Sequence, residues 1–130
     1  MADHPNAELF RRGYGAFQSG DLETVRTLFA DDIVWHIGGR NHFSRDYAGA
    51  DNVLALFAEN FTETDGTFGV DVHDILADDD HAVALATVRG RKGDKTLNDR
   101  YTHVVHIAGG EVVESWIFQE NQHEVDEFWG

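Results

Sequence analysis

The sequence predicts an α+β domain on three observations. Apolar residues recur at helical spacing through the first half, the apolar period falls to two from Thr67 onward, and short acidic or glycine turns separate the strand-like segments that follow. Helices first and an antiparallel meander second place the helices on one face of a sheet.

Asn6 is the expected cap of the first helix, whose Leu9, Phe10, Gly13, Tyr14, Ala16 and Phe17 fall on one stripe. Gly20 ends it, tolerating the left-handed backbone of a helix terminus, and Asp21 caps a second short helix, Leu22 to Phe29, buried through Val25, Leu28 and Phe29. Asp31-Asp32 punctuates. The β-rich run Ile33 to Ile37 reads as a strand stopped by Gly38-Gly39. A loop from Arg40 to Gly49 leads to a third helix, capped by Asp51, with Val53, Leu56, Phe57, Asn60 and Phe61 as its stripe. Strands are then expected over Phe68 to Leu76, His81 to Arg91, Lys95 to Ala108 and Glu111 to Glu120. Their turns are Asp78 to Asp80, Gly93-Asp94 and Gly109-Gly110. Val125, Phe128 and Trp129, at i, i+3 and i+4, pack a C-terminal tail on the body.

A single domain, 1–130, accommodates all of this, and at 130 residues folding buries roughly two thirds of the unfolded surface. No apolar run approaches the roughly 20 residues that span a bilayer, and no membrane partner is expected. Met1-Ala2-Asp3-His4-Pro5 lacks the basic and apolar regions of a signal peptide, and no cysteine is present, so the expected location is cytoplasmic. Net charge is −14, from 24 Asp+Glu against 10 Lys+Arg, which repels a phosphate backbone and argues against nucleic acid. Lysine occurs only at Lys92 and Lys95 against an Asp-heavy acidic set. That balance suits a salt-adapted protein whose carboxylate repulsion is screened by concentrated cations; an ordinary acidic protein is the plainer alternative.

The stretch Ala16 to Leu22, followed by Leu28 to Trp35, resembles the opening of the nuclear transport factor 2-like superfamily. Tyr101 to Trp116, with Gly109-Gly110-Glu111-Val112-Val113-Glu114, is similar to the final hairpin of its SnoaL-like and ketosteroid-isomerase-like members. The resemblance runs through nearly the whole chain. It implies a curved, mainly antiparallel sheet wrapped around the N-terminal helices as a cone with a central pocket, a small-molecule ligand, and a homodimer formed through the sheet's outer face. It does not imply one activity, because the fold hosts isomerases, dehydratases, cyclases, epoxide hydrolases and binding modules.

The family's isomerase chemistry needs a carboxylate base, a tyrosine and a protonated aspartate. The resemblance puts Ile37 at the base position and Thr102 at the acid position. Tyr14 lies seven residues before Asp21 where the family's tyrosine lies eight before, a helical rotation of about 100°. Standard ketosteroid isomerisation is therefore not expected. Where SnoaL-like cyclases carry an acid, this chain has Glu120-Asn121-Gln122, so Glu120 would serve; His36 or His106 is open to a dehydratase-like role.

With the family's register anchored at Thr102, Thr102, Val104 and His106 face the pocket and Tyr101, His103 and Val105 face out. Leu85, Thr87 and Arg89 then point inward from the preceding strand, and Trp116, Phe118 and Glu120 from the last. Trp35 and Ile37 line the first strand, Phe57 and Phe61 close the lid, and Tyr47 and Ser44 lie in the loop over the mouth. The expected catalytic set is His106 and Glu120 as acid and base, with Arg89 or Tyr14 polarising an oxygen. Each has a plainer reading: the aromatics as core, Arg89 as a carboxylate partner, His106 as a structural histidine, Glu120 as a solvated strand end. One displaced residue reverses the whole assignment.

His103 and His106, at i, i+3 on a strand, point to opposite faces and cannot share a metal ion. No phosphate-binding glycine loop or nucleophile elbow occurs, so neither metal nor cofactor is expected. The sequence supports a small-molecule cavity protein, acting as a cofactor-free lyase, isomerase or hydrolase on an apolar or aromatic metabolite. The alternative is a non-catalytic homodimeric module.

Overall fold

A computed structural model describes residues 4–130; Met1 to Asp3, on which the expectation of no signal peptide partly rests, lie outside the described residues. In chain order the elements are α1 (Pro5–Gln18), α2 (Leu22–Thr27), β1 (Phe29–Ile37), β2 (Asp46–Ala48), α3 (Ala50–Glu63), β3 (Gly69–Ala77), β4 (His81–Lys92), β5 (Lys95–Ala108), β6 (Glu111–Gln119) and α4 (Gln122–Trp129). The six strands form one curved, unclosed sheet in the order β2-β1-β6-β5-β4-β3. All neighbouring pairs are antiparallel except β1 with β6. No helix among the described residues is long and apolar enough to cross a membrane.

The helix boundaries follow from local chemistry. Pro5 occupies the first position of α1, where its missing N–H costs nothing, and His4 Nδ1 accepts the Asn6 N–H at 3.1 Å. Asn6 is therefore not the cap. Its side-chain amide instead donates to the Asp78 and Asp79 carbonyls, tying α1 to the β3–β4 turn. Gly20 has φ +77° and Asp21 caps α2 through the Thr24 N–H at 3.1 Å, as the sequence predicts.

Three other expectations need correction. The second helix ends at Thr27, and Phe29 already belongs to β1, so Asp31-Asp32 is an exposed pair within a strand and not a break. The loop after Gly39 contains β2, three residues pairing on β1. Gly49 at φ +92° starts α3, and Asp51 lies in the first turn, where its carboxylate takes the Arg26 guanidinium at 3.3 Å.

Phe10, Tyr14 and Phe17 lie at i, i+4 and i+7 on α1 and bury into the concave side of the sheet, where Val25, Ile33, Val53, Val88, Val105 and Val112 complete the core. The concave face of β5 carries Tyr101, His103, Val105 and Ile107, all buried, alternating with half-buried Thr102, Val104 and His106. α4 closes one end by burying Val125, Phe128 and Trp129, as their spacing predicts.

Candidate functional site

Inside the cone lies a cavity of about 120 Å³, walled by α1, α3, β1, β5, β6 and α4. Phe10, Phe17, Phe29, Trp35, Phe57 and Val105 make most of the wall apolar, and the rings interlock edge to face, as Phe17 with Phe57 at 5.1 Å and Trp35 with Phe57 at 5.1 Å. No Asp, Glu, Lys or Arg among the described residues lines it.

One polar chain crosses this wall. Tyr14, brought in by α1, places its hydroxyl 2.6 Å from the Tyr101 hydroxyl and 2.5 Å from His103 Nδ1, and His103 Nε2 lies 2.6 Å from Ser115 Oγ. Phe10 and Trp35 flank the imidazole, each with ring centroids 4.9 Å away. Burial pushes the His103 pKa down to about 3, so the ring is neutral at physiological pH. Burial, with Tyr101 alongside, raises Tyr14 well above the usual phenol value, and burial raises Tyr101 too. Both tyrosines are therefore hydroxyl donors and not phenolates.

Counting protons orients the chain. Two phenols, one neutral imidazole and one serine hydroxyl offer four donor hydrogens, and three hydrogen bonds join them, so one hydrogen is left over. Ser115 is fully buried, and stranding its hydrogen leaves an unsatisfied donor, costing about 1–3 kcal/mol. The favoured order has Ser115 donating to His103 Nε2, His103 Nδ1–H donating to Tyr14, and Tyr14 donating to Tyr101. The spare O–H is then that of Tyr101, on the cavity wall. Two more wall residues carry buried polar atoms with no hydrogen-bond partner among the described residues: Trp35 Nε1, a donor, and Gln119 Oε1, an acceptor.

Of the residues expected at the site, Tyr14, Trp35, Ile37 and Phe57 line the cavity. Phe61 is half-buried behind the wall, packed on Phe17 and Phe68. Tyr47 is buried away from the cavity and donates its hydroxyl to the Phe43 carbonyl at 2.9 Å. Ser44 donates to the Gly38 carbonyl within the loop.

The strand register is the reverse of that expected, and with it most of the candidate set moves to the convex face. Arg89 is half-exposed and paired with Asp71 at 2.9 Å. Glu120 holds Arg100 through two contacts of 3.0 and 2.9 Å. His106 stacks on His81 at 5.2 Å, and Thr87 bonds His73. Trp116 stacks on His36, Phe118 is 58% and Leu85 40% exposed, and Thr102 and Val104 sit between them on the same face. Every strand here shifted by one position because the register was anchored at Thr102, and a shift of one turns every side chain to the other face.

Tyr101, His103, Ser115 and Gln119 belong to the site and are absent from the set the sequence predicts. A signal for them exists: Arg89 and Arg91 on β4, Arg100 on β5, and Glu114 on β6 with Glu120 just past its end fall on one parity of each strand, which marks that parity as the solvent side. Lys92, Lys95 and Glu111 at the strand ends break the pattern, and so does Asp99, buried and held by the Asn121 backbone and side chain at 3.0 and 2.9 Å.

Comparisons with known proteins agree with this architecture. Residues 10–115 match the family model described as the SnoaL-like domain. An uncharacterised protein of Mycobacterium tuberculosis is 29% identical over 130 residues, covering 99% of each chain. The solved structure of Bal32a, from a soil-derived mobile gene cassette, superposes with a TM-score of 0.94 at 32% identity over 97% of both chains. IdmH of Streptomyces antibioticus, whose proposed identity is a polyketide cyclase, superposes with a TM-score of 0.74 at 22% identity over 91% of this chain and 94% of that one, a likeness of fold. The family match runs from α1 into β6, well over half of the sequence, and the chain belongs to the SnoaL-like domain family.

Proposed function

We propose that this chain is a small-molecule-binding protein whose cavity takes a neutral, ring-sized metabolite by one of its oxygen atoms. The observation that carries the reading is the hydrogen-bonded set of Tyr101, Tyr14, His103 and Ser115, three of whose members line an otherwise apolar cavity. The size supports it: a cavity of roughly 150 Å³ lined by apolar side chains accepts benzene, and this one is about 120 Å³. Its uncharged wall favours a neutral ligand, since an ion there would be desolvated without a counter-charge.

The wall offers a hydrogen-bond donor aimed at an oxygen and no group charged at neutral pH. It therefore polarises a bound carbonyl or hydroxyl without a carboxylate base to remove a proton. Binding is the function these residues support best, and lyase, isomerase or hydrolase chemistry through His106, Glu120 and Arg89 has no support from their positions on the convex face.

That convex face supports a homodimer. Leu85 and Phe118 are exposed beside half-buried Val104 and Trp116, an apolar patch of the kind that marks an association surface. Sedimentation of the wild type should give a dimer, and Phe118→Glu a monomer; a monomeric wild type removes this part of the reading.

The cavity is tested by calorimetric titration with a panel of single-ring ketones, phenols and hydrocarbons. Oxygen-bearing rings should bind more tightly than hydrocarbons of the same size, and Tyr101→Phe should weaken them about tenfold, as the loss of one hydrogen bond implies. Absence of binding by every ring compound overturns the proposal.

A further inference from the structure

The spare Tyr101 hydrogen does not act alone. Gln119 is the antiparallel register partner of Tyr101, so the two side chains leave the sheet on the same face from adjacent strands, with Cβ atoms about 4.5–5.5 Å apart. Gln119 Oε1 is buried and accepts nothing from the described residues. A donor hydroxyl and an unused acceptor on adjacent side chains of one sheet face are matched by a group that accepts and donates at once, which is a hydroxyl. A carbonyl there would take the Tyr101 hydrogen and leave Gln119 Oε1 unpaired, a buried acceptor costing about 1–3 kcal/mol.

The third unused atom lies elsewhere. Trp35 stands opposite Ser115 on the β1–β6 pair, four residues back along β6 from Gln119, or about 13 Å along the strand at about 3.3 Å per residue. Its indole meets the His103 ring, it is 4% exposed, and its N–H has no acceptor among the described residues. An indole N–H only donates, so its match is an oxygen that only accepts, remote from the hydroxyl.

Building on the cavity reading, we infer that the ligand class is a neutral single ring bearing a hydroxyl at the Tyr101 and Gln119 end and a carbonyl oxygen at the Trp35 end, a hydroxyaryl ketone or aldehyde. This arrangement supplies a partner to all three unused polar groups on the wall. A hydrocarbon supplies none and a simple ketone one.

The test is calorimetric titration of the full chain with acetophenone, 4-hydroxyacetophenone and 4-methoxyacetophenone, on the wild type, Gln119→Leu and Trp35→Phe. The hydroxy compound should bind the wild type at least about tenfold more tightly than the other two, the discrimination expected of a site built to hydrogen-bond a hydroxyl. Gln119→Leu should remove that preference, and Trp35→Phe should weaken both ketones together. The wild-type series decides the matter even if a variant fails to fold. Equal binding of hydroxy and unsubstituted ketones, or of hydroxy and methoxy compounds, overturns this ligand class and leaves the cavity reading intact. Failure of all three to bind overturns both.

Discussion

The Tyr14 hydroxyl and His103 Nδ1 meet at 2.5 Å, joining the middle of α1 to the middle of β5 across the core. Tyr14 also bonds Tyr101, so it is the branch point of the chain and Tyr101 its end. Tyr14→Phe breaks two hydrogen bonds and strands a buried imidazole nitrogen, whereas Tyr101→Phe breaks one. The expected losses of stability are about 2–4 kcal/mol and about 1 kcal/mol. Urea unfolding checks the order. Equal losses would mean that the three groups do not form one chain.

Two histidines set opposite limbs of the stability profile. His103 is held at a pKa of about 3 by burial, against about 6.5 in the unfolded chain, so between those values the unfolded state binds the extra proton and stability falls as pH drops. His36 is raised, first by its hydrogen bond to Glu114 at 2.6 Å and further by Asp46 at 2.7 Å, against the opposing cost of burial. Its contribution is complete below about 6.5 and is lost as pH rises through the folded value. These two groups therefore place a maximum near pH 6.5. Carboxylates held low, such as Asp71 by Arg89, add their loss only below about pH 4. Denaturant titrations from about pH 5 to 8.5 should show His103→Gln flattening the acid limb and His36→Gln flattening the alkaline one; unchanged slopes would refute the assignments.

Gly39 couples the loop after β1 to α4. Its φ is +95°, and a Cβ there would overlap Gln122 Nε2 and Asp126 Oδ1, the carboxylate that also holds Asn41 at 2.8 Å. Gly66 has φ +78° with nothing near its would-be Cβ. Gly66→Ala should cost about 1–2 kcal/mol, the left-handed backbone alone. Gly39→Ala should cost more and loosen α4, seen as a red shift of Trp129 fluorescence. Equal costs and no shift would show that the contact yields freely.

The net charge of −14 sets a salt prediction. If the acidic surface is salt-adapted, the melting temperature should climb by several degrees between low salt and molar KCl as repulsion is screened. A flat response identifies an ordinary acidic protein.

Local chemistry made most elements legible. The Gly20-Asp21 junction ends one helix and caps the next, and Gly109 and Gly110, at φ +59° and +77°, turn the last hairpin. β2 was hidden because three residues carry no period. The inward face was obscured for a different reason: Val83, Leu85, Val104 and Trp116 make the convex side nearly as apolar as Ala84, Val88 and Val105 make the concave side. Alternation between two apolar faces leaves parity to the charges, and Thr102 was the wrong place to anchor it. The Tyr14–His103 contact joins residues on different elements, and no spacing along one chain segment displays it.

The parallel pairing of β1 with β6 also shapes how the molecule is made. Trp35 and Ser115, register partners, are about 80 residues apart, a large loop to close and a long-range contact of the kind that slows folding. On the ribosome β1 emerges well before the strand it needs. The chamber is therefore sealed only after synthesis is nearly complete, and truncation anywhere before β6 leaves β1 without that neighbour.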